Sequence, residues 1–240
     1  MTIKTHMVQR AIIMAAGKGN RMRPLTDAVP KPLVPVNGVR MIDSVIGALH
    51  ENGIFEISVV VGYLKEQFMD LPKQYSGVRL IDNPYFDSCN NISSLYVARH
   101  LLDNCIILDG DQIINNPDVL QPKFDKSGYN AIWCDGGTEE WLMKTQNGIV
   151  KSCSRTGGRH GWQLFSISRW DTDDGAKLRK FLEYEFEKGN TQVYWDDVPM
   201  FLHFAEFELG VFEMNAGDVL EIDNLRELAA IDKKYIKYIK

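Results

Sequence analysis

The chain has 240 residues, 45% hydrophobic and 25% charged, which excludes a disordered segment or a coiled coil and predicts a single domain over residues 1–240. Its 27 Lys and Arg against 32 Asp and Glu leave a net charge of −5, so no global field attracts nucleic acid or an anionic membrane. The charge is uneven: the first 40 residues carry seven cations and one anion, Asp27, which suits a local polyanion site.

From the N-terminus, the apolar run 10–15 reads as a buried strand. A basic residue, an apolar core and small residues superficially resemble a signal peptide there. That core is too short, however, and Lys18, Arg21 and Arg23 follow at once, so a strand in a cytoplasmic protein is expected. An amphipathic helix follows over 41–52, stopped by Gly53, and then a strand over 57–61. A strand over 78–81, a helix over 93–102 and an apolar strand over 105–108 repeat the alternation. This rhythm predicts an α/β fold with a mostly parallel sheet flanked by helices. Beyond residue 130 the strands shorten and crowd together, over 131–134, 141–145, 149–153 and 162–168, which predicts antiparallel additions. Helices over 175–187 and 196–203, a strand over 206–213 and a terminal helix from Asn224 complete the pattern. No stretch approaches the ~20 apolar residues of a membrane-spanning helix. Cys89, Cys105, Cys134 and Cys153 lie far apart with no C-x-x-C pair, so reduced thiols are expected rather than zinc or disulfides.

The most informative stretch is Ala15-Ala16-Gly17-Lys18-Gly19-Asn20-Arg21-Met22-Arg23-Pro24, directly after the first strand. The carboxyl end of a parallel strand is where α/β sheets place ligands. Gly17 and Gly19 let the backbone approach a phosphate closely, and Arg21 and Arg23 bring charge to it. The Walker A spacing and the third glycine of G-x-G-x-x-G are both absent, so a G-x-G by itself says little beyond a tight turn. A second constellation, Ile106-Ile107-Leu108-Asp109-Gly110-Asp111, is an apolar strand ending in two carboxylates. Carboxylates so placed, opposite a phosphate loop, are suited to hold Mg²⁺ with nucleotide oxygens as the remaining ligands.

Extended through Leu25-Thr26-Asp27-Ala28-Val29-Pro30-Lys31-Pro32-Leu33, residues 15–33 resemble the signature of the nucleotidyltransferase family that makes nucleotide sugars and related activated alcohols. The resemblance implies a Rossmann-like mixed sheet of the nucleotide-diphospho-sugar transferase type. It also implies that Ala15, Ala16, Gly17 and Gly19 hold the nucleotide, with Arg21 and Lys31 facing phosphate oxygens. A lysine between two prolines sits on a stiff segment, so its ammonium is held at one point at low entropic cost. By the same resemblance Mg²⁺ is the cofactor, Asp111 is a metal ligand, and Asp109 supports it. Asp223, in Leu220-Glu221-Ile222-Asp223-Asn224, is the second ligand; its alternative is a helix N-cap, a role Asn224 could fill instead.

Asn83-Pro84-Tyr85, Asn90-Asn91-Ile92-Ser93-Ser94-Leu95, Glu140-Trp141 and Tyr194-Trp195-Asp196-Asp197 resemble the branch of that family which transfers CMP from CTP to phosphocholine. This implies that Trp141, Tyr194 and Trp195 form an aromatic cage for a quaternary ammonium, with Asp196 or Glu140 as its counter-charge. Burial in the core is the alternative for Trp141 and Trp195. Asn83, Asn91 and Ser94 are expected on the nucleotide, because an amide offers both donor and acceptor to a cytosine edge. Ser166 stands where relatives commonly have glycine, which narrows an acceptor pocket lined by that strand. Enzymes acting on 2-aminoethylphosphonate share much of this pattern, so the expected acceptor is phosphocholine or a close amino-phosphoryl analogue, with pyrophosphate released. A sugar-1-phosphate nucleotidyltransferase is the second enzyme reading, and the Tyr194-Trp195 pair argues against it. A non-catalytic nucleotide-binding regulator should have lost Lys31 or a metal carboxylate, and this chain keeps all three. No nucleic-acid or membrane partner is expected, and the sequence leaves a homo-oligomer open.

Overall fold

The apolar run Arg10–Ala15 forms strand β1, and its residues divide between two cores. Ala11, Ile13 and Ala15 pack with Ile42, Val45, Ile46 and Leu49 of helix α1 (Met41–Glu51), whereas Ile12 and Met14 pack on the opposite face. That second face is covered by Ile92 and Leu95 of α2 (Ile92–Ala98) and by Leu178 and Leu182 of α3 (Thr172–Glu187). Positions covered on both faces must all be apolar, which is why the five buried residues after Arg10 read as a continuous run. The computed structural model describes residues 5–239.

β1 pairs in parallel with β2 (Glu56–Val61) on one side, and β2 pairs in parallel with β3 (Val78–Asp82). On its other side β1 pairs in parallel with β4 (Cys105–Asp109), Met14 lying opposite Asp109. The strand order therefore reverses direction at β1, and the loops after β1 and β4 open a crevice at their carboxyl ends. Beyond β4 the sheet continues with antiparallel strands. In chain order these are β5 (Gly128–Cys134), β6 (Leu142–Gln146), β7 (Ile149–Ser154) and β8 (Gly161–Trp170). β8 pairs with β4 through its last residues and with β6 through Trp162 and Gln163. β9 (Gly210–Glu213) adds to β5 in parallel and completes a nine-stranded mixed sheet, the α/β fold expected from the sequence.

Gly53, with φ of 74°, ends α1 as expected. The expected helix over 93–102 is a shorter α-helix followed by the 3₁₀ turn Arg99–Leu101. The expected helix over 196–203 is a wide turn, Val198–Leu202, closed by the His203 N–H donating to the Val198 carbonyl; Pro199 within it has no N–H to offer an α-helical ladder. The last expected strand starts later, at Gly210, because Phe204–Glu206 is a 3₁₀ turn. One short pairing escapes the sequence patterns and places the site: Gln112–Ile114 runs antiparallel to Val219–Glu221, with Glu221 opposite Gln112. A third core, including Met22, Val34, Met41, Ile222 and Leu228, then packs α4 (Leu225–Ile231) against the loop after β1. No described helix is long and apolar enough to cross a membrane.

Candidate active site

The loop after β1 is held by packing as well as by its glycines. Gly19 has φ of 63°, and a Cβ there would stand 3.0 Å from the Lys31 Cβ and 3.1 Å from the Thr26 Cγ2. The fully buried Thr26 donates its hydroxyl to the Gly19 carbonyl at 2.9 Å. Gly19, Thr26 and Lys31 are thus one packed unit, and Lys31 projects into the crevice from the short turn Lys31–Leu33 with only 8% of its surface exposed.

Two carboxylates meet that ammonium. Lys31 Nζ lies 2.6 Å from Asp111 and 3.2 Å from Asp223, and the Arg21 guanidinium reaches Asp223 at 2.9 Å. Burial pushes the Lys31 pKa down, but Asp111 and then Asp223 outweigh it, so the ammonium is held above its ordinary range. The N-cap alternative for Asp223 belongs to Asn224, whose side chain accepts from the N–H groups of Arg226 and Glu227. Asp223 is thereby left to face the crevice. The fit of a magnesium ion can be judged from this donor set. Two hard oxygen donors converge on one cation, and a site built from one or two carboxylates with phosphates and waters is what Mg²⁺ ordinarily uses. No cluster of three or more ligating side chains occurs among the described residues, so a nucleotide would have to supply oxygens. The residues fit the ion on those terms.

Beyond Asp111 the crevice opens into a cavity of about 330 Å³. Its walls carry six carboxylates, Asp109, Asp111, Glu140, Asp196, Glu221 and Asp223, against the two cations Arg21 and Lys31. Burial pushes the Asp109 carboxyl well above the usual range, and Asp111, Asp196 and Glu221 add to the effect. Burial also pushes Asp196 up to about 7; the Tyr129 hydroxyl beside it works the other way, and Asp197 adds repulsion. Glu221 likewise rises to about 7 through burial, despite the hydrogen bond donated by Gln112 at 2.9 Å. Such a cavity attracts a cation and offers it hydrogen-bond acceptors. Ser166 lines the same space, beside Asp109.

The aromatic wall differs from expectation. Trp141 and Tyr194 line the cavity with their rings perpendicular at 6.2 Å. Trp195 does not take part and is corrected to a core residue: it is 2% exposed and packs on Tyr129 and Trp170 at 6.1 and 6.2 Å. Its neighbours Tyr194 and Asp196 face the cavity, and the turn between them sends the indole inward. The Trp195 N–H donates to the Asn91 Oδ1 at 2.8 Å, so that amide anchors the turn.

A second cavity of about 330 Å³ lies on the other side of the glycine loop, lined by Ala16, Gly17, Asn83, Asn90, Asn91 and Ser94 among others. A third, touching Ala15, Gly17, Gly19, Lys31 and Asp111, joins it to the acidic one. The structure thus gathers the expected nucleotide residues along one cleft, with a qualification for Asn83. Asn83 is wholly buried and its amide is committed within the protein, donating to the Ser93 and Ser94 hydroxyls at 3.0 Å and accepting from the Tyr85 N–H at 2.9 Å. It shapes the cavity wall and has no free edge for a base. Across the mouth, Lys18 and Asp87 form an ion pair. Sequence reasoning missed Glu221 and Gln112 as site residues. Their signal was the two-strand pairing that brings them together, and runs of three residues are too short to show it.

The chain matches the nucleotidyl transferase family over residues 10–152. It is 38% identical to a 2-aminoethylphosphonate cytidylyltransferase of Lancefieldella rimae, over 96% of this chain and 94% of that protein. It is 32% identical to a choline-phosphate cytidylyltransferase of Streptococcus pneumoniae, over 93% and 97% of the two chains. The solved CTP:phosphocholine cytidylyltransferase of that organism superposes with a TM-score of 0.85 at 32% identity, covering 94% of this chain and 98% of that one. An inositol-1-phosphate CTP transferase of T. maritima, at 15% identity and a TM-score of 0.74 over 97% and 96% of the two chains, shares the fold. A family match over more than half of the chain, joined to relatives alike over nearly its whole length, shows that the chain belongs to the nucleotidyl transferase family and is a nucleotidyltransferase.

Proposed function

We propose that the protein transfers CMP from CTP to a small phosphoryl acceptor that carries an amine, releasing pyrophosphate, and that a primary ammonium of the 2-aminoethylphosphonate kind is preferred. The observation that carries this reading is the acidic cavity beside the phosphate loop, where Asp109, Asp196 and Glu221 surround the acceptor space. A primary ammonium has three N–H donors and can satisfy buried carboxylates directly; a trimethylammonium has none. The removal of Trp195 from the wall leaves two aromatic faces, Trp141 and Tyr194, which weakens a cage for the methylated ion. Those two perpendicular rings are what favour phosphocholine as the second reading.

In this mechanism the acceptor's anionic phosphonate or phosphate oxygen attacks the α-phosphorus of CTP in line, and the bond to pyrophosphate breaks. That oxygen is already charged near neutral pH, so no protein base is needed, and catalysis consists of positioning and charge neutralisation. Lys31 exchanges its ion pairs with Asp111 and Asp223 for phosphate oxygens when CTP enters, and then offsets the charge growing on the departing pyrophosphate. Arg21 does the same from the exposed side. Asp111 and Asp223 are the residues that would hold Mg²⁺, whose contribution when bound is to neutralise phosphate charge. Asp196 and Glu221 orient the acceptor by its ammonium. Pyrophosphate release with CTP and Mg²⁺, measured separately with 2-aminoethylphosphonate, phosphocholine and glucose 1-phosphate, tests the reading. The expected order of kcat/KM is the order given, and turnover of the sugar phosphate in preference to both amines would overturn it.

A further inference from the structure

The aromatic side of the acidic cavity is assembled from two parts of the chain that share no strand pairing. Glu140 and Trp141 precede β6, on the antiparallel extension, whereas Tyr194 and Asp196 belong to the irregular turn before Val198–Leu202. Among the described residues no backbone hydrogen bond joins the two parts directly, so it is side chains that connect them. Arg155, just past the end of β7, reaches both parts without lining the cavity itself.

Its Nε donates to Asp197 Oδ1 at 2.9 Å, and Nη2 donates to the same oxygen. The other oxygen, Oδ2, accepts the Tyr194 N–H at 2.9 Å, so one carboxylate links the guanidinium to the backbone of the aromatic turn. Asp197 is 4% exposed, and Arg155 is its one ion-pair partner among the described residues. The guanidinium carbon also lies 3.6 Å from the centre of the Phe201 ring, and Phe201 in turn meets the Trp141 ring edge-on at 5.2 Å. A planar fork that pairs with a carboxylate and stacks on a ring is specific to arginine; a lysine ammonium supplies only the charge.

We propose that Arg155 is a positioning residue for the acceptor: through Asp197 and Phe201 it sets Tyr194 and Trp141 at the spacing the incoming amine requires. The proposal rests on the amine-acceptor reading above and adds a residue that touches neither acceptor nor nucleotide. Arg155, Asp197 and Phe201 border neither cavity of the nucleotide cleft, and Tyr194 alone of the braced residues reaches it, so the brace acts chiefly on the acceptor.

The experiment compares Arg155→Met, Arg155→Lys and the double variant Arg155→Met/Asp197→Asn with wild type. Steady-state kinetics use CTP, Mg²⁺ and whichever of 2-aminoethylphosphonate or phosphocholine the wild type turns over. Arg155→Met is expected to raise the acceptor KM about tenfold, on the order of a charge-assisted hydrogen bond, with the CTP KM within about twofold of wild type. Arg155→Lys should recover only part of that loss. The double variant removes the buried charge that Arg155→Met strands, so it keeps the fold while still lacking the brace, and its acceptor KM should stay raised. A wild-type acceptor KM in Arg155→Met or in the double variant would overturn the proposal, as would equal increases in the KM for CTP and acceptor. In parallel, ¹⁹F NMR of 5-fluorotryptophan-labelled protein, with the Trp141 signal assigned through Trp141→Phe, reads the brace without substrate. The Trp141 resonance should shift or broaden in Arg155→Met and in the double variant, and an unchanged resonance overturns the brace. If the wild type used neither amine, the functional reading would fail on its own and the ¹⁹F result would still decide the role of Arg155.

Discussion

Replacing Asp196 by Asn should stabilise the protein and damage it at once. The folded structure raises the Asp196 pKa from 3.8 to about 7, chiefly by burial and with repulsion from Asp197. An acid raised in this way keeps its proton in the folded state after the unfolded chain has lost it, so wild-type stability falls as pH climbs from about 3.8 and reaches its full loss above about 7. At 1.36 kcal/mol per pH unit the rise corresponds to at most about 4 kcal/mol at pH 8, and water entering the cavity reduces it toward about 1 kcal/mol. Asn is nearly the same shape, can accept from the Tyr129 hydroxyl and cannot ionise. Urea denaturation of both proteins at pH 4 and pH 8 should show near-equal stability at the lower pH and a more stable Asn variant at the higher. Kinetics should run the other way. At pH 8 the variant's KM for an amine acceptor should rise about tenfold or more, the scale of a hydrogen bond to a charged group, and the gap should narrow at pH 6 where wild-type Asp196 is mostly protonated. A variant that is no more stable than wild type at pH 8, or whose stability difference does not change with pH, would refute the argument that this carboxylate is buried against its own preference.

Three further outcomes test other parts of the site. Asp223→Asn or Asp111→Asn should lower kcat by about 100-fold or more, the scale of losing one electrostatic stabiliser, and EDTA should abolish turnover by the wild type; full activity in EDTA would sink the metal role. Trp195→Ala should cost about 3 to 5 kcal/mol of stability as a core truncation, while Trp141→Ala should leave the denaturation midpoint nearly unchanged and raise the acceptor KM a few-fold to about thirtyfold; the reverse pattern would restore Trp195 to the cavity. Gly19→Ala should raise the CTP KM and lower stability, since it combines a left-handed φ with a 3.0 Å approach to Lys31, whereas Gly17→Ala meets nothing within 4 Å and should leave stability unchanged by thermal denaturation.

The parts of this protein that were legible in its sequence are those whose physics is local. An apolar run covered on both faces announced β1 and β4, two glycines and a proline-flanked lysine carried the family resemblance of the loop after β1, and the two carboxylates of Asp109-Gly110-Asp111 closed β4. Each depends on residues within a few positions of one another. The acidic cavity does not. Asp223 meets Lys31 across 192 residues of chain because three residues of Val219–Glu221 pair with Gln112–Ile114 and a small core docks α4 on the loop after β1. Neither short strand carries enough periodicity to be seen, and Glu221 therefore gave no signal of its own. The fate of Tyr194, Trp195 and Asp196 was equally hidden. In an irregular turn, side-chain direction follows no repeat, and it was the Asn91 amide, 104 residues away, together with the Asp197 carboxylate, that turned two of these neighbours toward the cavity and the third into the core.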